Sequence, residues 1–319
     1  MPAVLRVLGP VEVVGPDGEV QLGGPKERCL LAVLAVHHGE VVAEDCLVDA
    51  LWDGMPPRTA AKTLQNYVMR VRRRLEGVGG AAIMTRPPGY VLDGSLTDVR
   101  LVETLVAEGR RSAGRGDHGT AIARFDEALG LWRGATLAEF ADRSWARTEA
   151  ARLDELRASV AEERVAAFLA SGRHHEAIAE CEKLVAEEPL RERRWAQLML
   201  ALYRDGRQGE ALAAYRRLRD VLADQLGVDP GSEARCLEAA ILAQDPALVL
   251  RPRRRGRSEG TPCVGREREL DTLLGHLADA EAGRRVGPDG VPRSCSRCSM
   301  APGGGSRPSR NASTASTNG

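Results

Sequence analysis

The chain has 319 residues, and its 45 Lys and Arg balance 45 Asp and Glu to a formal net charge of zero. That length holds two domains with cores of their own, and neutrality means that nucleic-acid binding must come from a local patch rather than from overall attraction. Seven cysteines without a framework, no apolar run of the about 18 residues a bilayer crossing needs, and no basic-then-apolar leader exclude a disulfide scaffold and a membrane span and place the chain in the cytoplasm.

Short β-forming runs come first, Val4 to Leu8, Val11 to Val14 and Val20 to Leu22, punctuated by Gly9-Pro10 and Gly15-Pro16-Asp17-Gly18. They predict a small antiparallel sheet. Pro25 suits a first helical turn, and Leu30, Leu31, Leu34 and Ala35 continue a helical stripe towards His37 and His38. A second, shorter helix is expected over Glu44 to Leu51.

Pro56-Pro57 exclude helix before Thr59, which makes Thr59 the expected N-cap of a third helix running to Glu76. At 3.6 residues per turn its Leu64, Val68, Val71 and Leu75 share one face. Lys62, Asn66, Met69, Arg70 and Arg73 share the opposite one, with Gln65, Arg72 and Arg74 on the flanks. Solvated helices usually pair such cations with acids four residues away; from Arg58 to Glu76 only the terminal Glu76 is acidic. Arginine content alone argues little, because lysine occurs only at Lys26, Lys62 and Lys183, as a GC-rich genome produces. The arrangement argues more, since it offers phosphate-seeking charge together with amides that can read base edges. Beyond Gly77 to Gly80, Ile83 to Leu92 form a β-hairpin whose tip, Arg86-Pro87-Pro88-Gly89, carries one cation.

Sheet, three helices and hairpin in this order give a winged helix-turn-helix, with the third helix in the major groove and the hairpin against the adjacent backbone or minor groove. LWDGMPPRTAAKTLQNYVMRVRRRLE and RPPGYVLD resemble the OmpR-type DNA-binding domain of the Streptomyces antibiotic regulatory protein family, over residues 1–95. The candidate DNA-binding residues are Arg58, Thr59, Lys62, Thr63, Gln65, Asn66, Arg70, Arg72, Arg73, Arg74 and Arg86. Asn66 is the candidate base reader, Arg72 and Arg74 are candidate phosphate contacts, and Tyr67 is assigned to packing. No receiver module is expected ahead of the first strand, so phosphorylation of a receiver Asp is not the expected switch.

From Asp98 strand signals give way to continuous helical periodicity broken at glycines. Gly172 and Gly206 stand 34 residues apart, as do Ala177 and Ala211, inside the matching phrases GRHHEAIAECEKL and GRQGEALAAYRRL. A 34-residue period is the tetratricopeptide signature, and such arrays bind proteins or peptides. LGLWRGATLAEF and LGVDPGSEARCLEAAIL resemble the bacterial transcriptional activation domain that follows the winged helix in this family, over 98–247. Trp132, Trp145 and Trp195 are expected in helix packing. Adjacent acids at Glu162-Glu163 and Glu187-Glu188 point about 100° apart and form no carboxylate pair, and His174-His175 lack partners at ligand spacing. No catalytic residue, cofactor site or metal site is assigned.

The remainder reads as a basic linker over 248–262, then a segment over 263–285 that, through TPCVGRERELDTLLGHL, resembles the opening of a STAND-type ATPase domain, then an aperiodic tail over 286–319 expected to be disordered. A phosphate loop needs a Lys, and none follows Lys183. Cys295 and Cys298 make a lone CxxC pair, not a zinc site. The expected molecule is mainly α, a winged helix-turn-helix followed by a tetratricopeptide-like array. The resemblance implies a nucleoid-associated activator of secondary-metabolite genes that binds promoter direct repeats as a homodimer and recruits RNA polymerase through its sigma factor or other subunits. The alternative is a helical-repeat adaptor whose basic helix contacts protein.

Overall fold

The computed structural model describes residues 4–76, 78, 80–94 and 96–249, so the expectations for the linker beyond Val249, the STAND-like opening, the tail and the CxxC pair lie outside the described residues. Three short strands open the chain: β1 (Val4–Arg6), β2 (Glu12–Gly15) and β3 (Gly18–Glu19). β1 and β2 pair antiparallel with Leu5 opposite Val13, both in the core. The third strand lies at Gly18–Glu19 rather than at Val20 to Leu22, because the turn closes tightly enough for Gly15 to face Gly18. Leu22 then leaves the sheet for the core.

The helices follow as α1 (Pro25–Val36), α2 (Glu44–Trp52) and α3 (Ala60–Leu75). α1 is buried continuously from Cys29 to Val36, more than its predicted stripe. It lies between the other two helices and the sheets, so burial pushes the Cys29 thiol up to about 11. Between α1 and α2, β4 (Val42–Ala43) adds a strand the sequence did not signal. It pairs with β6 (Gly89–Asp93), which pairs in turn with β5 (Ala82–Arg86), giving the order β4-β6-β5. Gly89 is required there, since a Cβ would lie 1.9 Å from the Val42 carbonyl oxygen.

A two-residue strand, β7 (Leu96–Thr97), lies parallel to β1 and completes a mixed sheet, β3-β2-β1-β7, in place of the purely antiparallel one expected. Two residues are too few for a periodic signal. Thr97 caps the next helix by accepting from the Arg100 N–H at 3.1 Å. The array comprises α4 (Asp98–Gly114), α5 (His118–Leu129), α6 (Ser144–Ala170), α7 (His174–Glu187), α8 (Glu192–Arg204), α9 (Gln208–Leu226) and α10 (Ser232–Leu242). Its first three hairpins turn at Gly116, Gly172 and Gly206, with φ of 80°, 79° and 80°, left-handed values that glycine adopts without strain. Five residues after each stands a fully buried alanine, Ala121, Ala177 or Ala211. The first hairpin escapes the 34-residue register because the insertion at residues 130–143 and the long α6, with 27 residues against 13 in α8, both lie before the second turn.

That insertion docks on the N-terminal sheet. The Arg133 N–H donates to the Leu8 carbonyl at 2.8 Å, its guanidinium pairs with Glu12 at 2.8 Å, and Glu139 accepts from the Val11 N–H at 3.0 Å and pairs with Arg28 at 2.8 Å. Beside it Asp98, fully buried, accepts from the N–H groups of Val7 at 2.8 Å, Leu8 at 2.8 Å and Val99 at 3.0 Å. Burial pushes its carboxyl pKa up, and those three donors with Arg133 oppose the rise. The sheet and the array therefore share a polar seam as well as an apolar one. Trp132 and Trp195 are buried as expected, while Trp145 is half-buried against Phe140 at 5.9 Å.

Candidate nucleic-acid interface

α3 owes its placement to one stripe. Ala60, Leu64, Val68, Val71 and Leu75 are all buried, and burying a leucine or valine contributes about 1.5–3 kcal/mol, so the helix cannot rotate about its axis without exposing the stripe. Thr59 occupies the N-cap position but its side chain makes no capping bond; instead the Thr63 hydroxyl donates to the Thr59 carbonyl at 2.9 Å. Tyr67 stacks against Trp52 at 6.3 Å, in keeping with a packing role.

The cations of α3 divide into bound and free. Arg72, on one flank, donates from Nε to the Ile83 carbonyl and from Nη2 to the Thr85 hydroxyl, both at 2.7 Å, and lies 5.9 Å from the Tyr90 ring. It fastens the helix to the hairpin. On the other flank Arg70 and Arg74 face Glu27, at 3.6 and 3.4 Å, and Arg74 also donates to the Gln21 carbonyl at 3.0 Å. The Glu27 side chain is only 5% exposed. The unpaired character read from the sequence is thus corrected for Arg70 and Arg74, whose acid arrives from α1 rather than from four residues away.

Between the flanks lies a surface on which Lys62, Gln65, Asn66, Met69 and Arg73 are all exposed. Arg58 and Thr59, just before the helix, are exposed as well, and so is Arg86 at the hairpin tip, where the Pro87–Pro88 bond is cis. Among the described residues Arg58, Lys62, Arg73 and Arg86 have no carboxylate within ion-pair distance, and the amides of Gln65 and Asn66 have no partner inside the protein. Side-chain amides free to form two hydrogen bonds, flanked by free cations on a convex helix, match the needs of base-edge and phosphate contact. Glu27, Thr85 and Tyr90 were the functional neighbours sequence reasoning missed. Local spacing carries no trace of them, because they reach α3 only through tertiary packing.

Among the described residues no group of three or more His, Cys, Asp or Glu is placed to hold a metal ion. No helix among them is long and apolar enough to cross a membrane.

A family model described as the C-terminal domain of transcriptional regulatory proteins matches residues 18–92, and one described as the bacterial transcriptional activator domain matches 97–242. The regulatory protein DnrI of Streptomyces peucetius is 38% identical over 254 residues, 76% of this chain and 93% of that protein. The chain belongs to the Streptomyces antibiotic regulatory protein family. Its function is accordingly that of a transcriptional activator. Another member, the regulatory protein AfsR of Streptomyces griseus, is 37% identical over 76% of this chain, which spans 25% of that larger protein. The solved structure of Mycobacterium tuberculosis EmbR in complex with a low-affinity phosphopeptide superposes with a TM-score of 0.71 at 30% identity, covering 91% of this chain and 73% of that one. The family fold, mainly α with an N-terminal winged helix, is the one described above.

Proposed function

We propose that this member of the family binds direct repeats in promoter DNA as a homodimer, inserts α3 in the major groove, and recruits RNA polymerase through its helical array to secondary-metabolite genes. The observation that carries the reading is the free surface of α3, where Lys62, Gln65, Asn66 and Arg73 are exposed without protein partners while their neighbours on both flanks are engaged. Lys62 and Arg73 then meet phosphates, Asn66 and Gln65 meet base edges, and Arg86 reaches the backbone or minor groove beside the hairpin. Arg58, Thr59 and Thr63 approach the backbone where α3 begins. Arg70 touches phosphate from the edge of the surface, and Arg72 and Arg74 act by fixing the helix against the hairpin and α1. The division proposed is DNA binding over 1–95 and polymerase contact over 98–247, in a cytoplasmic protein that performs no catalysis.

Footprinting of the full chain across the intergenic regions flanking its own gene tests the proposal. Two protected half-sites in direct orientation, spaced by one or more helical turns, are expected, with transcription rising in a reconstituted polymerase assay. Absence of protected DNA at low salt overturns it and leaves the basic helix as a protein contact.

A further inference from the structure

Met69 stands at the centre of the free surface of α3, where solvent exposure of a large apolar side chain brings no folding benefit. It is 53% exposed. Within one helical turn lie Gln65, Asn66, Arg72 and Arg73, and two turns back along the same surface is Lys62. The buried stripe of α3 lies on the opposite side, so Met69 adds nothing to the core. Apolar groups on a nucleic-acid surface have one distinctive target in the major groove, the 5-methyl of thymine, the only methyl that any base pair presents there.

The geometry points to Met69 as a specificity-determining residue that contacts a thymine methyl in the target site. This rests on the DNA-binding reading above and sharpens it. Helical side chains tilt towards the helix N-terminus, which carries Met69 over the turn holding Gln65 and Asn66. Amide side chains of that type pair with adenine N6 and N7, and each adenine so read brings a thymine with its methyl into the same groove. Asn66 and Met69, three residues apart, then select an A·T pair from two chemistries, the amide through hydrogen bonds and the thioether through apolar contact. Methionine suits this use because its unbranched, polarisable side chain adapts to an irregular surface.

The test uses the full chain and a duplex site selected by that chain from a random library. Each thymine of the selected site is replaced in turn by deoxyuridine, which removes only the methyl, and Kd is measured at fixed salt for the native protein, Met69→Ala and Met69→Leu. At one or two positions the native protein and Met69→Leu should lose about fourfold in affinity, the value of one buried methyl group, while Met69→Ala should be indifferent to the replacement. Unchanged melting temperatures for both variants are expected from the exposure of the side chain. Deoxyuridine effects equal in the native protein and Met69→Ala at every position overturn the inference while leaving DNA binding intact, as does a Met69→Ala loss that is the same on both duplexes, which marks a contact with protein. Failure to select any site overturns the DNA-binding reading itself, and this inference with it.

Discussion

Arginine does two different jobs in the two halves of this molecule. In the helical array most arginines are paired with carboxylates: Arg110 with Glu163 at 2.6 Å, Arg164 with Asp126 and Glu180 at 2.6 Å each, Arg217 with Glu182 at 2.9 Å, and the buried Arg194 with Glu162 at 3.4 Å. Along α3 Arg70 and Arg74 are paired in the same way and Arg72 is held by a carbonyl and a hydroxyl, but the outward surface holds Lys62 and Arg73 with no carboxylate near them among the described residues. In a chain whose positive charge is almost all arginine, the count of cations therefore identifies nothing. Arg111, Arg115 and Arg235 of the array are exposed and likewise lack a carboxylate among the described residues, so what distinguishes α3 is the gathering of free cations with the free amides of Gln65 and Asn66 on one helix face.

The difference breaks first where pairing is most buried. Glu162 is shared by Arg191, Arg193 and Arg194, and the Arg194 side chain is 2% exposed. Glu162→Ala leaves the buried Arg194 guanidinium with Glu188, at 3.6 Å, and the Leu184 carbonyl as its remaining partners, and should cost about 3 kcal/mol of stability. Urea denaturation should show the loss, while DNA affinity per folded molecule stays unchanged. At the seam between the halves, Asp98→Ala removes the acceptor for the Val7, Leu8 and Val99 N–H groups. A loss on the order of 2–3 kcal/mol is expected from the stranded donors, read in the same experiment.

On α3 the costs move from folding to binding. Asn66→Ala should leave the melting temperature in place and weaken the specific site by about 1–3 kcal/mol, with little effect on random DNA; equal loss on both would remove Asn66 from base readout. Arg74→Ala, by contrast, takes away one of the two arginine partners of the buried Glu27. It should lower the melting temperature measurably and change the salt dependence of binding less than loss of a free cation does.

The stripe of α3 was legible in the sequence because helical period and burial coincide over sixteen residues, and the hairpin was legible because Pro87-Pro88-Gly89 can only turn. The repeat at Gly172 and Gly206 was legible for the same reason, a local signal repeated at fixed spacing. Three features were not. β4 and β7 are two residues long and exist only through pairing with strands far along the chain. The first helical hairpin has a turn glycine and a buried alanine, Gly116 and Ala121, spaced as in the other two, but residues 130–143 and the length of α6 displace it from their register. The engagement of Arg70, Arg72 and Arg74 depends on Glu27, Gln21, Ile83 and Thr85, none of which shares a helical turn with them. Sequence periodicity fixes which face of α3 looks outward; only tertiary packing decides which of its cations remain free.

The most direct test is a salt titration of promoter binding for the native chain, Arg73→Ala and Arg217→Ala. Each phosphate contact contributes about one unit to the slope of log K against log salt. Arg73→Ala should lower the slope by about one and Arg217→Ala should leave it unchanged, although both remove an exposed arginine from a helix. Equal slopes for Arg73→Ala and the native chain, or an equal fall in both variants, would contradict the account.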